Sequence, residues 1–268
     1  MPGRADAAEV PDLELLAEGS ITVEGRLVDA SNTTLLGVVA HAGRTGRCVY
    51  KPVAGERPLW DFPDGTLAAR EVAAYAVSEA TGWSVVPPTV LRDGPFGPGM
   101  VQLWVEVDPG IELVDVVPRT RRPDGWLPVL DALGADGGPV TLVHADDPRL
   151  RRMAVLDTVL NNADRKGGHV LPTGEGHVFG VDHGVCFNVD EKLRTVLWGW
   201  AGCPLLAEET DVLARLRDDL DGALGATLRQ LLATAEVRRT VERVDRMLET
   251  ARFPRPGEGW PAIPWPPF

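Results

Sequence analysis

The chain has 268 residues, 44% of them hydrophobic, and a formal net charge of −12, which is material for one large domain or two small lobes. The charge argues against polyanion binding, because nucleic-acid recognition concentrates Lys and Arg against phosphates, and it disfavours a broad grip on acidic lipid. Cys48, Cys186 and Cys203 lack metal spacing and cannot all pair, and no stretch approaches the ~18 apolar residues of a membrane span; a cytoplasmic protein without a transmembrane segment is expected.

After an acidic start, ITVEGRLVD reads as a strand, SNTTLLG as a turn, and LLGVVAHA with GRCVYKPV as further alternating apolar segments. GERPLWDFPDG is a loop by its Pro and Gly content, and Thr66 precedes LAAREVAAYAVSEATGW, a helical pattern that Gly82 closes. Two β-rich runs follow, SVVPPTVLRDG and GMVQLWVEVD, separated by the turn GPFGPG. This order of strands and one helix is that of a kinase N-terminal lobe.

From about Pro109 the character changes. IELVDVV and WLPVLDALGA read as short helical or mixed pieces, and Leu150 to Leu160 carries apolar residues at helical spacing before a polar, Gly-rich loop. GHVFGVDHGVCF gives a short strand into a second loop, and Thr210 to Thr250 holds two helices. The Pro-rich tail FPRPGEGWPAIPWPPF reads as an extended arm packed through its Trp and Phe side chains. The Arg119, Arg121 and Arg122 cluster reads as a solvated loop, and His144 and His177 as solvated turn residues.

Lysine occurs only at Lys51, Lys166 and Lys192, every other basic side chain being arginine. A sequence that defaults to Arg keeps Lys where a compact ammonium on a flexible stem is wanted. Phosphoryl transfer requires a Lys on the nucleotide phosphates, metal-binding carboxylates and an Asp beside the acceptor hydroxyl. VYKP places Lys51 at a strand end, with Glu71 on the following helix as its candidate partner. The turn Ser31, Asn32, Thr33, Thr34 lies between two strands, as a phosphate-covering loop does, without the glycines of protein kinases. The segment Val105, Glu106, Val107 is the candidate interlobe hinge, where backbone groups would read adenine.

The sharpest signal is a pair of acidic loops, NNADRKGGH at 161–169 and VDHG at 181–184. Asp164 follows a helix, and Asp182 follows a short apolar strand eighteen residues later; two such loops can converge on one Mg²⁺ site. Asp157, on the preceding helix, reads as a structural carboxylate that fixes the loop.

These motifs resemble the phosphatidylinositol 3- and 4-kinase superfamily, with its Asp-Arg-His-x-x-Asn catalytic loop and Asp-Phe-Gly or Asp-Asn-Gly metal loop. The likeness is closest to the type II phosphatidylinositol 4-kinase branch and its bacterial relatives, with some likeness to HipA-type kinases. It runs from about Asp29 to Phe187 and leaves the C-terminal third unmatched. It implies Asp164 as the catalytic Asp, Asp182 as a metal ligand and Lys51 as the phosphate-binding Lys. Two positions depart: the family's His is Lys166, which would contact the γ-phosphate or stabilise developing charge, and its Asn ligand is His169, a softer donor than Mg²⁺ prefers. That departure leaves open Mn²⁺ use, a ligand from Asn161 or Asn162, or a weak or inactive kinase.

The expectation is an α+β, two-lobed protein-kinase-like fold. Residues 1–107 form a small β-rich N-lobe with the phosphate-binding turn, the Lys51 strand and the Glu71 helix; residues 108–268 form a mostly helical C-lobe. The expected activity is an ATP- and Mg²⁺- or Mn²⁺-dependent phosphotransferase acting on a protein, small-molecule or lipid acceptor. The alternatives are an ATP-binding pseudokinase that presents its C-terminal helices to a partner protein, and transfer of AMP to a protein from the same site.

Overall fold

A computed structural model describes residues 12–27, 32–257 and 259–268. Contacts gather the chain into two units: the described parts of Met1–Pro58 with Pro88–Trp104, and Leu59–Pro87 with Val105–Phe268.

The first unit is an antiparallel sheet in the order β1-β2-β3-β5-β4, formed by β1 (Ser20–Arg26), β2 (Leu35–His41), β3 (Arg44–Pro52), β4 (Thr89–Gly94) and β5 (Gly97–Leu103). Alternation of apolar side chains along β2 and β3 sends Leu35, Val39, Cys48 and Tyr50 to one buried face. That face is covered by a helix absent from the sequence reading, α1 (Asp12–Glu18), through Leu15 and Leu16. Seven residues are too few for a stable isolated helix. Tertiary contacts hold α1 instead: Arg92 Nη1 donates to the carbonyls of Leu16 and Gly19 at 2.9 and 2.7 Å.

The second unit contains α2 (Leu67–Thr81), whose limits follow from local chemistry. Thr66 Oγ1 accepts from the Ala69 amide at 3.0 Å, and Gly82 stops the helix at φ 70°, a left-handed conformation that costs glycine little. The helix was expected with the smaller lobe; its contacts place it in this unit, where Ala73, Ala74 and Val77 join the main core.

The segments read as helical or mixed between Ile111 and Ala135 instead build a three-stranded sheet in the order β6-β8-β7, with β6 (Val114–Pro118), β7 (Trp126–Leu133) and β8 (Pro139–Ala145). Pro128 is compatible with the first turn of a helix and equally with an edge strand, so the local pattern was ambiguous. In the structure it lies on the edge strand β7 beside a bulge. His144, expected in a solvated turn, is fully buried in β8: its Nδ1 lies 2.9 Å from the Ala145 carbonyl, and its Nε2 accepts from the Gly199 amide at 3.0 Å.

The core is organised around α3 (Pro148–Leu160). Asp147 caps it by accepting from the Arg149 amide at 2.8 Å, and Pro148 takes the first turn, where no N–H is needed. From Met153 to Leu160 every residue is buried, as a helix packed on all sides requires. The short strands β9 (Val170–Pro172) and β10 (Val178–Gly180) form a hairpin beyond it. The expected pair of C-terminal helices is three among the described residues: α4 (Ala207–Asp221), α5 (Ala223–Leu231) and α6 (Thr234–Thr250), with Gly222 breaking the first from the second. No helix of the described residues is long and apolar enough to cross a membrane.

Candidate active site

The site grows from the end of α3. Asn161 turns the chain at φ 53°, its side chain donating to the carbonyls of Asn188 and Asp190 at 3.0 and 2.6 Å and accepting from the Lys192 amide at 2.9 Å. Asn162 donates to Asp157 Oδ1 and accepts from the Asp164 amide, both at 2.9 Å. Both side chains are buried and hydrogen-bonded within the loop.

Arg165 locks the loop from beneath. Its side chain is 0% exposed, with Nε and Nη2 gripping the two oxygens of Asp157 at 2.8 and 2.9 Å. Nη1 donates to the Val181 carbonyl at 2.9 Å, and Nη2 lies 2.7 Å from His183 Nε2. Burial opposes the guanidinium's charge, but Asp157 outweighs it and holds the group above its ordinary pKa. Asp157 is therefore the structural carboxylate foreseen from the sequence. Arg165 and His183 were not foreseen, although Arg165 directly follows Asp164.

On the solvent side of this lock, Asp164, His169 and Asp182 converge. Each offers a ligand atom, and these atoms all lie within 4.8 Å of one another. His169 Nε2 is 3.5 Å from Asp182 Oδ2, and Lys166 Nζ is 3.5 Å from Asp164 Oδ2. Burial foremost lifts the Asp164 carboxyl above the usual carboxylate range; the Lys166 charge works against it and Asp182 adds to it. Asp182 takes φ 63°, an uncommon conformation for a non-glycine residue and costly when held. The fixing bonds are next door: the Val181 amide donates to the His169 carbonyl at 3.1 Å, and the His183 amide donates to Glu71 Oε2 at 2.9 Å. Glu71, on α2, thus holds the loop carrying Asp182 across 112 residues of sequence.

Two carboxylate oxygens and one imidazole nitrogen at this spacing suit a divalent cation bonded at about 2.0–2.3 Å. The mixed donor set favours Mn²⁺ more than an all-oxygen set would.

The chain after α6 reaches the same loop. The Gly167 amide donates to the Pro267 carbonyl at 2.8 Å, and a Cβ on Gly167 would come within 2.3 Å of the Phe268 ring. The Thr195 amide and Trp198 Nε1 both donate to the Ala262 carbonyl. The tail is therefore seated on residues 167–198 through the carbonyls of Ala262 and Pro267 and the Phe268 ring, while Trp265, expected to pack, is exposed. Val107 lines a small pocket of about 160 Å³ with Gly167, and Val105 and Glu106 lie just before it in irregular chain.

In the first unit, Lys51 sits on β3 opposite Met100 of β5. Ser31 lies outside the described residues. Asn32 Oδ1 accepts from the Arg57 amide at 2.9 Å, the Thr33 amide donates to the Gly55 carbonyl at 3.2 Å, and Thr34 is buried.

The fold is of the kinase-like class. Solved structures agree on the fold: that of hydra Fam20 with sugar is 13% identical, covers 89% of this chain and 86% of its own, and has a TM-score of 0.55. A Golgi casein kinase covers 91% and 79% at 13% identity and a TM-score of 0.53, and its form with Mn/ADP bound gives 14% and 0.51. These neighbours establish a kinase-like fold, not the phosphatidylinositol 3- and 4-kinase branch in particular. No family model matches the chain. The chain belongs to the family of protein Rv2133c of Mycobacterium tuberculosis, with which it is 52% identical over 263 residues, 95% of this chain and 94% of that protein.

Proposed function

We propose that this protein is an ATP- and divalent-metal-dependent phosphotransferase, with the unit of residues 1–58 and 88–104 as the nucleotide-cradling lobe and the unit of residues 59–87 and 105–268 as the lobe carrying the acidic loops. The observation that carries the reading is the convergence of Asp164, His169 and Asp182 on one point, with Lys166 beside Asp164. The two motifs' likeness to the phosphatidylinositol 3- and 4-kinases supports it, as do the kinase-fold neighbours, one of which holds Mn/ADP.

Asp182 and His169 hold the metal in this reading, and a bound Mg²⁺ or Mn²⁺ neutralises phosphate charge there. Asp164 orients the acceptor hydroxyl and takes its proton as the acceptor oxygen bonds to the γ-phosphorus and the bond to ADP breaks. Lys166 stabilises charge on the transferring group. Lys51 is assigned to the nucleotide phosphates with the turn at 31–34, and the backbone of Val105, Glu106 and Val107 to adenine. Glu71 fixes the metal loop through the His183 amide.

The test is a thermal-shift titration of wild type and Asp182→Ala with ATP and Mg²⁺ or Mn²⁺, since a ligand that binds only the folded state raises the melting temperature. The reading requires a metal-dependent shift that the substitution removes, followed by turnover of labelled ATP that Asp164→Ala abolishes. Binding without turnover supports a nucleotide-sensing regulatory module instead, the reading that His169 in place of asparagine favours. A product carrying AMP instead of phosphate, seen by mass spectrometry, identifies nucleotidyl transfer.

A further inference from the structure

A second cavity, of about 590 Å³, lies within the helical unit. It is walled by the end of α6, by the chain that follows α6, and by the segment after the metal loop; none of its lining residues belongs to the Asp164 site. Its volume is that of a small-molecule site.

The chemistry of its wall is unusual for a chain of net charge −12. Four arginines line it, Arg243, Arg246, Arg252 and Arg255, against one carboxylate, Glu191. That carboxylate is already shared: Arg239 and Arg246 contact Glu191 Oε1 at 3.2 and 3.3 Å, while Arg243 Nε is 3.7 Å from Oε2. Arg243 has a side chain only 3% exposed. Its Nη2 donates to the Asn188 carbonyl, yet Nε and Nη1 are buried without a hydrogen-bond partner. Burial pulls this guanidinium down to about 10, which leaves it charged at neutral pH. Buried donors of a charged group left unsatisfied are costly, and proteins seldom keep them without a use. Across the cavity, Gly202 at φ 75° leaves room for Arg255: a Cβ there would come within 2.6 Å of Arg255 Nη2. Trp198, Met247, Phe253 and Trp260 supply apolar and aromatic surface between these charges.

We propose that this cavity is a binding site for a small organic anion, with a phosphate or carboxylate head held by Arg243 and its neighbouring arginines and a ring-bearing body against the tryptophans. The planar guanidinium fork matches either head group in two-pronged fashion, and both kinds of anion would satisfy the donors that Arg243 leaves open.

The experiment is isothermal titration calorimetry of the full chain in EDTA, with phenyl phosphate, benzoate, inorganic phosphate, phenol and benzylamine as probes. At least one of the two aromatic anions is expected to bind saturably and one-to-one, more tightly than inorganic phosphate, with no binding of phenol or benzylamine; whichever anion binds tighter identifies the head group. Arg243→Met should weaken that binding at least ~10-fold, the scale of a charge-assisted hydrogen bond. Two gentler variants guard against misfolding of Arg243→Met: Arg246→Gln, at an exposed position, should weaken binding severalfold, and Thr250→Trp, at the exposed end of α6, should fill the cavity and block it. Asp182→Ala should leave binding unchanged, which separates this site from the nucleotide site. Absence of saturable binding by both aromatic anions, phenol binding as tightly as they do, or affinity unaltered in Arg246→Gln and Thr250→Trp would overturn the proposal.

Discussion

Arg165 grips Asp157 with two parallel hydrogen bonds, Nε to Oδ2 at 2.8 Å and Nη2 to Oδ1 at 2.9 Å, and both side chains are removed from solvent. The pair ties α3 to the loop that carries Asp164, and through the Val181 carbonyl and His183 it ties that loop to the one carrying Asp182. Removing one partner leaves an uncompensated buried charge, which costs about 3–5 kcal/mol. Asp157→Ala is expected to lower unfolding free energy by that amount in urea titration and to abolish the metal-dependent ATP shift, although Asp157 touches neither ligand. A variant with wild-type stability would show that the pair is not what holds the loops.

For the converging donors, the chemistry of His169 makes a specific forecast. His169→Asn replaces nitrogen by oxygen, so preference in the thermal-shift titration should move from Mn²⁺ toward Mg²⁺ with the fold intact. Asp164→Ala should reduce ATP turnover by about 10²–10⁴-fold, the usual contribution of a positioned acid–base group, while ATP binding persists. Unchanged metal preference in His169→Asn would remove His169 from the ligand set.

Burial of His144 makes stability depend on pH. Burial foremost holds its pKa below the ordinary 6.5, against the pull of the Ala145 carbonyl and Asp146. The unfolded chain therefore binds this proton at a higher pH than the folded chain. The contribution to stability is complete above about 6.5 and is lost as pH falls from there toward the folded value. The bond at stake is Nε2 accepting from the Gly199 amide, since a protonated ring cannot accept. His144→Gln should be less stable than wild type at pH 7, with a shallower fall in melting temperature between about pH 7 and 5. Parallel curves for the two proteins would refute this.

Cysteine reactivity should be graded by burial. The Cys48 thiol is pushed up to about 11 and the Cys186 thiol well above its ordinary value, both by burial, and the thiolate is the reactive species. Brief alkylation of the folded protein at pH 8 should therefore mark Cys203, the partly exposed thiol, before the other two. Equal labelling of all three, read by mass spectrometry, would mean that the cores around Cys48 and Cys186 open readily.

The sequence by itself determined whatever was encoded locally. Thr66 and Gly82 bracket α2 because capping and left-handed turns act over three or four residues. Alternation marked the strands of the first unit, and Asp164 and Asp182 stood out because each sits in a short motif behind a helix or a strand. Tertiary structure alone decided the rest. The pattern WLPVLDAL fits a helix start as well as an edge strand until β8 pairs with it, and α1 is too short to persist without the sheet beneath it. Glu71 meets the His183 amide across 112 residues, and α6 brings Arg243 to Asn188 and Glu191 across 55 and 52. Such pairings are absent from any local window, because their energy is gained only after the chain between them has closed.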